Sequence, residues 1–394
     1  MSLDVTVAWD RPASSGESEH WLSLSIRGVQ GVDSPMALAI LVDTSTSMVG
    51  DRLVRACATV EAVVRAAQPI DRALVLGFGS SVVRAFEGAG GSEIGDALRS
   101  LAAGGKTRLD LALDEAERWL RSQNGRTHVL LLTDGDPTSA EGRRVPNDPF
   151  VERMRLLGRD GLRFTVVGLG STDGYDAAFL RAIADAAGGV AVVGVQPALL
   201  RDRTLSAMRA GTGDAAVVHV SLKSSELSVV EAWRVEPRVQ PITLDGAGAA
   251  LPIGEEGALL LRVRLVQGLG ARRGERVVGT LTARQHGGAQ ANVPLVLTMV
   301  APGSSERMLL NEAVDRLRVK VELARTAQVR ASADEWDDQI RLTRQLADLA
   351  SRLDDPRATR RIQAELNRLD GGASLSKDDR ETAVDALRGG EEDG

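Results

Sequence analysis

The stretch MALAILVDTSTSM, residues 36–48, decides the reading of this chain. Residues 36–42 are uninterrupted apolar, the signature of a strand buried on both faces rather than one. At its end come Asp43, Ser45 and Ser47. Alternate residues of an extended backbone point the same way, so three oxygen-bearing side chains at i, i+2 and i+4 converge on one point.

The segments that follow alternate strand and helix. Residues 51–67 carry apolar residues at helical spacing (Leu53, Val54, Cys57, Val60, Val63, Val64). ALVLGFG (73–79) is a strand and VVRAF (82–86) its short hairpin partner. Helical stretches at 93–102 and 108–122 precede a further buried strand, HVLLLTD (128–134), which ends in Asp134 as the first ends in Asp43. A polar loop over 135–149 leads to helix 150–159, strand 162–170, helix 176–187, strand 190–194 and helix 197–210. This alternation predicts an α/β fold with a doubly wound, mostly parallel sheet covered on both sides.

Outside this region the pattern changes. Residues 3–10 and 20–28, and five segments between 217 and 300, alternate at period two between Gly-rich turns, as sandwich strands do. The two N-terminal strands need partners, so 1–32 and 214–301 are expected to form one β-sandwich with the α/β domain, 33–212, inserted in it. Residues 303–371 show helical stripes (Leu342, Leu346, Leu349, Leu353; then Ile362, Leu366, Leu369), with Pro356 where a helix would start. They predict a helical bundle. Residues 372–394 read as a polar tail.

Composition narrows the function. The chain has 394 residues, 43% hydrophobic and 26% charged, with a formal net charge of −6. An acidic protein offers no global field for nucleic acid or an anionic membrane. The single cysteine, Cys57, rules out an internal disulfide and any multi-cysteine zinc site, and reads as a core residue. The four histidines lie far apart, so no HExxH helix exists. All but four of the 48 basic residues are arginine, which suggests a GC-rich, bacterial coding genome. No secretory signal and no long uncharged apolar run is visible, so the expected compartment is the cytoplasm.

The candidate site is built from oxygen. Asp43, Ser45, Ser47 and Asp134 are joined by Thr107, in the Gly-rich loop GGKTRLD (104–110). Two carboxylates and three hydroxyls suit Mg²⁺, with Mn²⁺ or Ca²⁺ as alternatives, and do not suit zinc or copper. Taken singly, either aspartate could equally cap a helix. GGKT is not a phosphate loop, because Ser100 stands where its first glycine belongs and a helix precedes it. Ser45 also occupies the position where a dehalogenase-type phosphatase needs its second aspartate.

Together Asp43-Thr44-Ser45-Thr46-Ser47, Thr107 and Thr133-Asp134-Gly135 resemble the metal-ion-dependent adhesion site (MIDAS) of a von Willebrand factor type A (vWA) domain. The order of elements over 36–211 is similar as well. The resemblance implies a six-stranded sheet of order 3-2-1-4-5-6 with one antiparallel edge strand. It also implies Ser45, Ser47 and Thr107 as metal ligands, with Asp43 and Asp134 bound directly or through water. The expected function is then Mg²⁺-dependent protein–protein interaction, in which a partner supplies Asp or Glu to the metal, and no enzymatic activity. Related bacterial proteins work beside AAA-type ATPases, phosphatases or proteases, which makes such a system a candidate partner. Lys106, Asp136, Arg143 and Arg144 border the site as partner contacts; for the basic three the alternative is solvated loop charge. Two other readings stay open: a metal-dependent hydrolase of phosphoesters or peptides using the same ion, and RNA binding, against which acidity and few aromatics weigh.

Overall fold

The computed structural model describes residues 3–388 apart from 15–18, 28–34, 124, 171–174, 194–196, 213–215, 237, 245–247, 254–255, 266–272, 286–288, 302–303 and 306–307. His286 lies outside the described residues. The chain divides into two compact units, one of residues 1–31, 214–376 and 383–394, the other of 32–213 and 377–382.

The first unit opens with β1 (Asp4–Trp9), β2 (Ala13–Ser14) and β3 (Glu19–Arg27). In β3 alternate residues His20, Leu22, Leu24 and Ile26 are buried, as a strand with one face on a core requires.

The α/β unit follows. Its elements are β4 (Met36–Asp43), α1 (Asp51–Ala66), β5 (Arg72–Phe78), β6 (Val82–Ala89) and α2 (Gly95–Leu98). Then come α3 (Leu109–Arg121), β7 (Arg126–Thr133), α4 (Asp148–Arg159), β8 (Arg163–Gly168), α5 (Ala177–Ala186), β9 (Val190–Val192) and α6 (Leu200–Thr212). The six strands lie in the order β6-β5-β4-β7-β8-β9, which in the unit's own numbering is 3-2-1-4-5-6. Only the edge strand β6 is antiparallel to its neighbour. Each face has its own core. Ala37, Ala39 and Leu41 of β4 join α3, α4 and α5, while Leu38, Ile40 and Val42 join α1, α2 and α6. Asp43 and Thr133 thus come level at the top of two adjacent parallel strands, where the sheet changes winding direction.

Two local expectations differ. Val54 is 67% exposed, because α1 packs instead through Ala56, Val60, Val63 and Val64. The helix expected over 93–102 shrinks to one turn, since Gly104 and Gly105 bond to the loop after β4 and the chain before them must uncoil to reach it.

The first unit resumes with β10 (Ala216–Lys223), β11 (Leu227–Glu236), β12 (Gln240–Ile242), β13 (Ala249–Ile253), β14 (Glu256–Leu265), β15 (Gly274–Gln285) and β16 (Gln290–Val300). They form two five-stranded sheets, β1-β3-β14-β11-β12 and β13-β10-β15-β16-β2. One apolar core draws on both sheets, so the N-terminal strands and the later ones build a single sandwich into which the α/β domain is inserted. The short β2, β12 and β13 lack the period-two pattern that marks the other sandwich strands.

Helix α7 (Glu312–Ala331), α8 (Trp336–Leu353) and α9 (Pro356–Asp370) follow. Leu346, Leu349, Leu353 and Ile362 pack with Val319, Leu323 and Ala327. Val314, Val321 and Ala324 of α7 pack on Trp233, Val235 and Leu260 of the sandwich. Pro356 is the first residue of α9, behind the Asp355 cap. The stretch read as a polar tail instead carries α10 (Lys377–Leu387), whose Ala383 and Val384 are buried. Its charges hid these two anchors. Among the described residues no helix is long and apolar enough to cross a membrane.

Candidate functional site

The site forms where three loops leave the top of the α/β sheet. After Asp43 the chain stays extended through Ser45, makes a 3₁₀ turn over Thr46–Met48, and enters α1 past Gly50. Gly50 has φ 87°, a left-handed conformation that side chains resist, so a glycine serves this corner. The loop before α3 is stapled alongside. Gly104 N donates to Thr44 O at 2.7 Å, and Thr46 N to Gly105 O at 3.2 Å. Thr46 Oγ1 lies 3.1 Å from Gly105 O and from Gly105 N.

Asp43 is fully buried, and both its oxygens are held. Oδ1 accepts from Ser45 N at 2.8 Å, and Oδ2 from Thr133 Oγ1 at 2.6 Å. Burial pushes its carboxyl up to about 6; these hydrogen bonds oppose the rise, and the charge of Asp134 adds to it. Ser45 Oγ lies 2.9 Å from Ser47 Oγ, which donates to Asp134 Oδ1 at 2.7 Å. Thr107 is anchored through its backbone: its N–H donates to Thr138 Oγ1 at 2.9 Å, and its carbonyl accepts from Thr138 N at 2.8 Å. A Cβ built on Gly135 would stand 3.9 Å from both Ser47 Oγ and Thr107 Oγ1, so the two hydroxyls flank one point that glycine leaves open. Asp43, Ser45, Ser47, Thr107 and Asp134 therefore gather from three separate loops.

Two buried carboxylates side by side call for positive charge, and every donor present is a hard oxygen. Such a set fits Mg²⁺, Mn²⁺ or Ca²⁺. Among the described residues no three His, Cys, Asp or Glu side chains gather as a metal cluster, so any cation here would depend on the hydroxyls.

The four bordering residues divide. Lys106 Nζ donates to Ala140 O, within its own loop pair. Arg144 bridges Asp136 at 3.2 Å and Asp176 at 3.1 Å. Burial raises the Asp136 carboxyl above the ordinary range, partly offset by Arg144. Arg143 is exposed, and its backbone closes the Ser139–Arg143 turn. The sequence reading missed Arg52. Its Nη1 donates to Asp134 Oδ2 at 2.5 Å and to Ser47 O at 3.3 Å. A cation in the first turn of a helix runs against the helix dipole, so no rule of local sequence places it there.

The family model described as von Willebrand factor type A domain matches residues 38–136. Among solved structures, a von Willebrand factor type A protein from Catenulispora acidiphila is similar, with a TM-score of 0.74 at 18% identity over 98% of this chain and 96% of that one. The ArnB paralog VWA2 from Sulfolobus acidocaldarius is similar with a TM-score of 0.68 at 16% identity over 100% of both chains. At such identities the likeness is one of fold. Comparison with curated proteins finds no match. Sheet order, family match and fold agree: the α/β unit of this chain has the fold of a von Willebrand factor type A domain, and its residues 38–136 match the model of that family.

Proposed function

We propose that this chain is a divalent-cation-dependent protein-binding module that takes Mg²⁺, or Mn²⁺ in its place, at the top of the α/β sheet. The observation that carries this reading is the buried pair Asp43 and Asp134, bordered by the hydroxyls of Ser45, Ser47 and Thr107. Bound there, the cation would supply an open coordination position for an aspartate or glutamate of a partner protein.

The chain's own residues do the rest. Thr133 and the Ser45 backbone fix the Asp43 carboxylate, and Ser47 fixes that of Asp134. One ion–carboxylate bond is strong but poorly selective, so the rim must discriminate. On that rim Arg143 is exposed and offers a basic group to an acidic partner segment, while Arg144 is held by Asp136 and Asp176. The side chains around the carboxylates are hydroxyls and an arginine, which hold an anion rather than take a proton. We therefore read the module as a binder and not an enzyme, working as one component of a multi-protein bacterial system in the cytoplasm.

Affinity capture tests this, using the whole chain and an Asp43→Ala/Ser45→Ala variant, each with Mg²⁺ and with EDTA. The expected result is a partner retained only by wild-type protein with Mg²⁺. Recovery of the same proteins in all four conditions would show that this face is not the recognition surface.

A further inference from the structure

The guanidinium of Arg52 lies where a second positive charge is needed least once a divalent ion is present. Asp134 has no exposed side-chain surface, while that of Arg52 is 41% exposed. Arg52 therefore reaches inward from solvent to neutralise a buried carboxylate, and a buried carboxylate without a counter-charge is strongly destabilising. The contact falls on Oδ2, and Ser47 occupies Oδ1, so both oxygens of Asp134 are engaged.

The arginine also has somewhere to go. Arg52 itself lines one wall of a cavity of about 220 Å³, together with Asp51, Arg55, Gly168, Gly170 and Leu200. A Cβ on Gly170 would stand 3.2 Å from Arg52 Nε, so glycine at this position leaves the arginine room. Asp51, 3.4 Å from Arg55 and 87% exposed on its side chain, offers a carboxylate on the cavity wall. An arginine that left Asp134 for this wall would share the Asp51 carboxylate with Arg55.

We propose that Arg52 is a built-in counter-ion of Asp134 that gives way when a divalent cation binds, moving into the adjacent cavity toward Asp51. This inference rests on the cation site proposed above. Arg52 then sets the affinity of the site: it keeps the carboxylate pair stable without metal, and the ion must displace a charge-assisted hydrogen bond to enter. Such a bond is strong enough to change affinity by about tenfold.

Two measurements on the full chain test it. The first is Mn²⁺ binding by calorimetry for wild type and Arg52→Met, which keeps the apolar stem and removes the charge. The expected result is tighter binding by the variant, by about tenfold. The second is the Nε–Hε resonance of Arg52 in wild-type protein, assigned by its loss in the variant. It is expected to shift on addition of Mg²⁺. Equal or weaker Mn²⁺ binding by Arg52→Met would overturn the inference while leaving the cation site standing, and Arg52 would then be an orienting group for Asp134. An Arg52 resonance unmoved by saturating Mg²⁺ would overturn it in the same way. Absence of Mn²⁺ uptake by both folded proteins would sink the cation site and the inference together.

Discussion

Thr133 Oγ1 donates a 2.6 Å hydrogen bond to Asp43 Oδ2, joining the tops of two adjacent parallel strands through one buried hydroxyl. Replacing Thr133 by Val keeps the shape and removes the donor. A buried carboxylate oxygen left without its partner costs about 1–3 kcal/mol. Urea unfolding of Thr133→Val should show a loss of that size. An unchanged midpoint would mean that the hydroxyl does not hold Asp43.

Asp43 makes stability depend on pH in an unusual direction for a carboxylate. Its ordinary value is 3.8 and the folded value about 6, so between these the folded chain binds the extra proton. Its contribution is fully present below pH 3.8 and is lost as pH rises through about 6. The loss amounts to roughly 3 kcal/mol in cation-free protein. Asp43→Asn should therefore gain on wild type between pH 4 and pH 7.5 in EDTA. An equal difference at both pH values would contradict the burial of this charge.

His128 slopes the other way. It is fully buried, with Nε2 2.9 Å from Thr165 Oγ1, and burial aided by the charge of Arg163 holds it down to about 3. The folded chain thus refuses a proton that the unfolded chain accepts below 6.5. This stability is present above pH 6.5 and lost as pH falls toward 3. Near pH 5 the loss is roughly 2 kcal/mol. His128→Gln, which does not titrate, should lose less stability than wild type between pH 7.5 and pH 5. If the two proteins lose equally, His128 is not the acid-sensitive group.

How much of this was legible in the sequence follows from where each signal lies. The buried strands announced themselves because MALAILVD and HVLLLTD are apolar on both faces. Asp43, Ser45 and Ser47 were visible because their spacing is local. The convergence of Asp134 and Thr107 with them depends on strand order, which the family resemblance supplied and periodicity did not. Arg52 was invisible, because its partner is 82 residues away and arginine, 44 of the 48 basic residues, is common throughout the chain. The strands β12 and β13 escaped for a different reason. Proline at 241 and 252 broke their pattern, although each pairs at a sheet edge, where a missing donor is tolerated.

Gly79 offers a way to disturb the site without touching any of its five oxygen-bearing side chains. A Cβ there would stand 2.8 Å from Gly104 O and 3.2 Å from Thr44 Oγ1, between the two stapled loops. Gly79→Ala should leave the domain folded, displace the loop that carries Thr107, and weaken Mn²⁺ binding by about tenfold. Wild-type affinity in this variant would show that the position of Thr107 does not matter to the site.

The most direct test of the account is cation binding itself. Calorimetric titration of the EDTA-treated chain with Mg²⁺ and Mn²⁺ should show one ion per chain. Uptake should be abolished by Asp43→Asn and by Ser45→Ala/Ser47→Ala while thermal unfolding stays cooperative. No uptake by wild-type protein, or equal uptake by all three, would contradict the claim that these oxygens hold a metal.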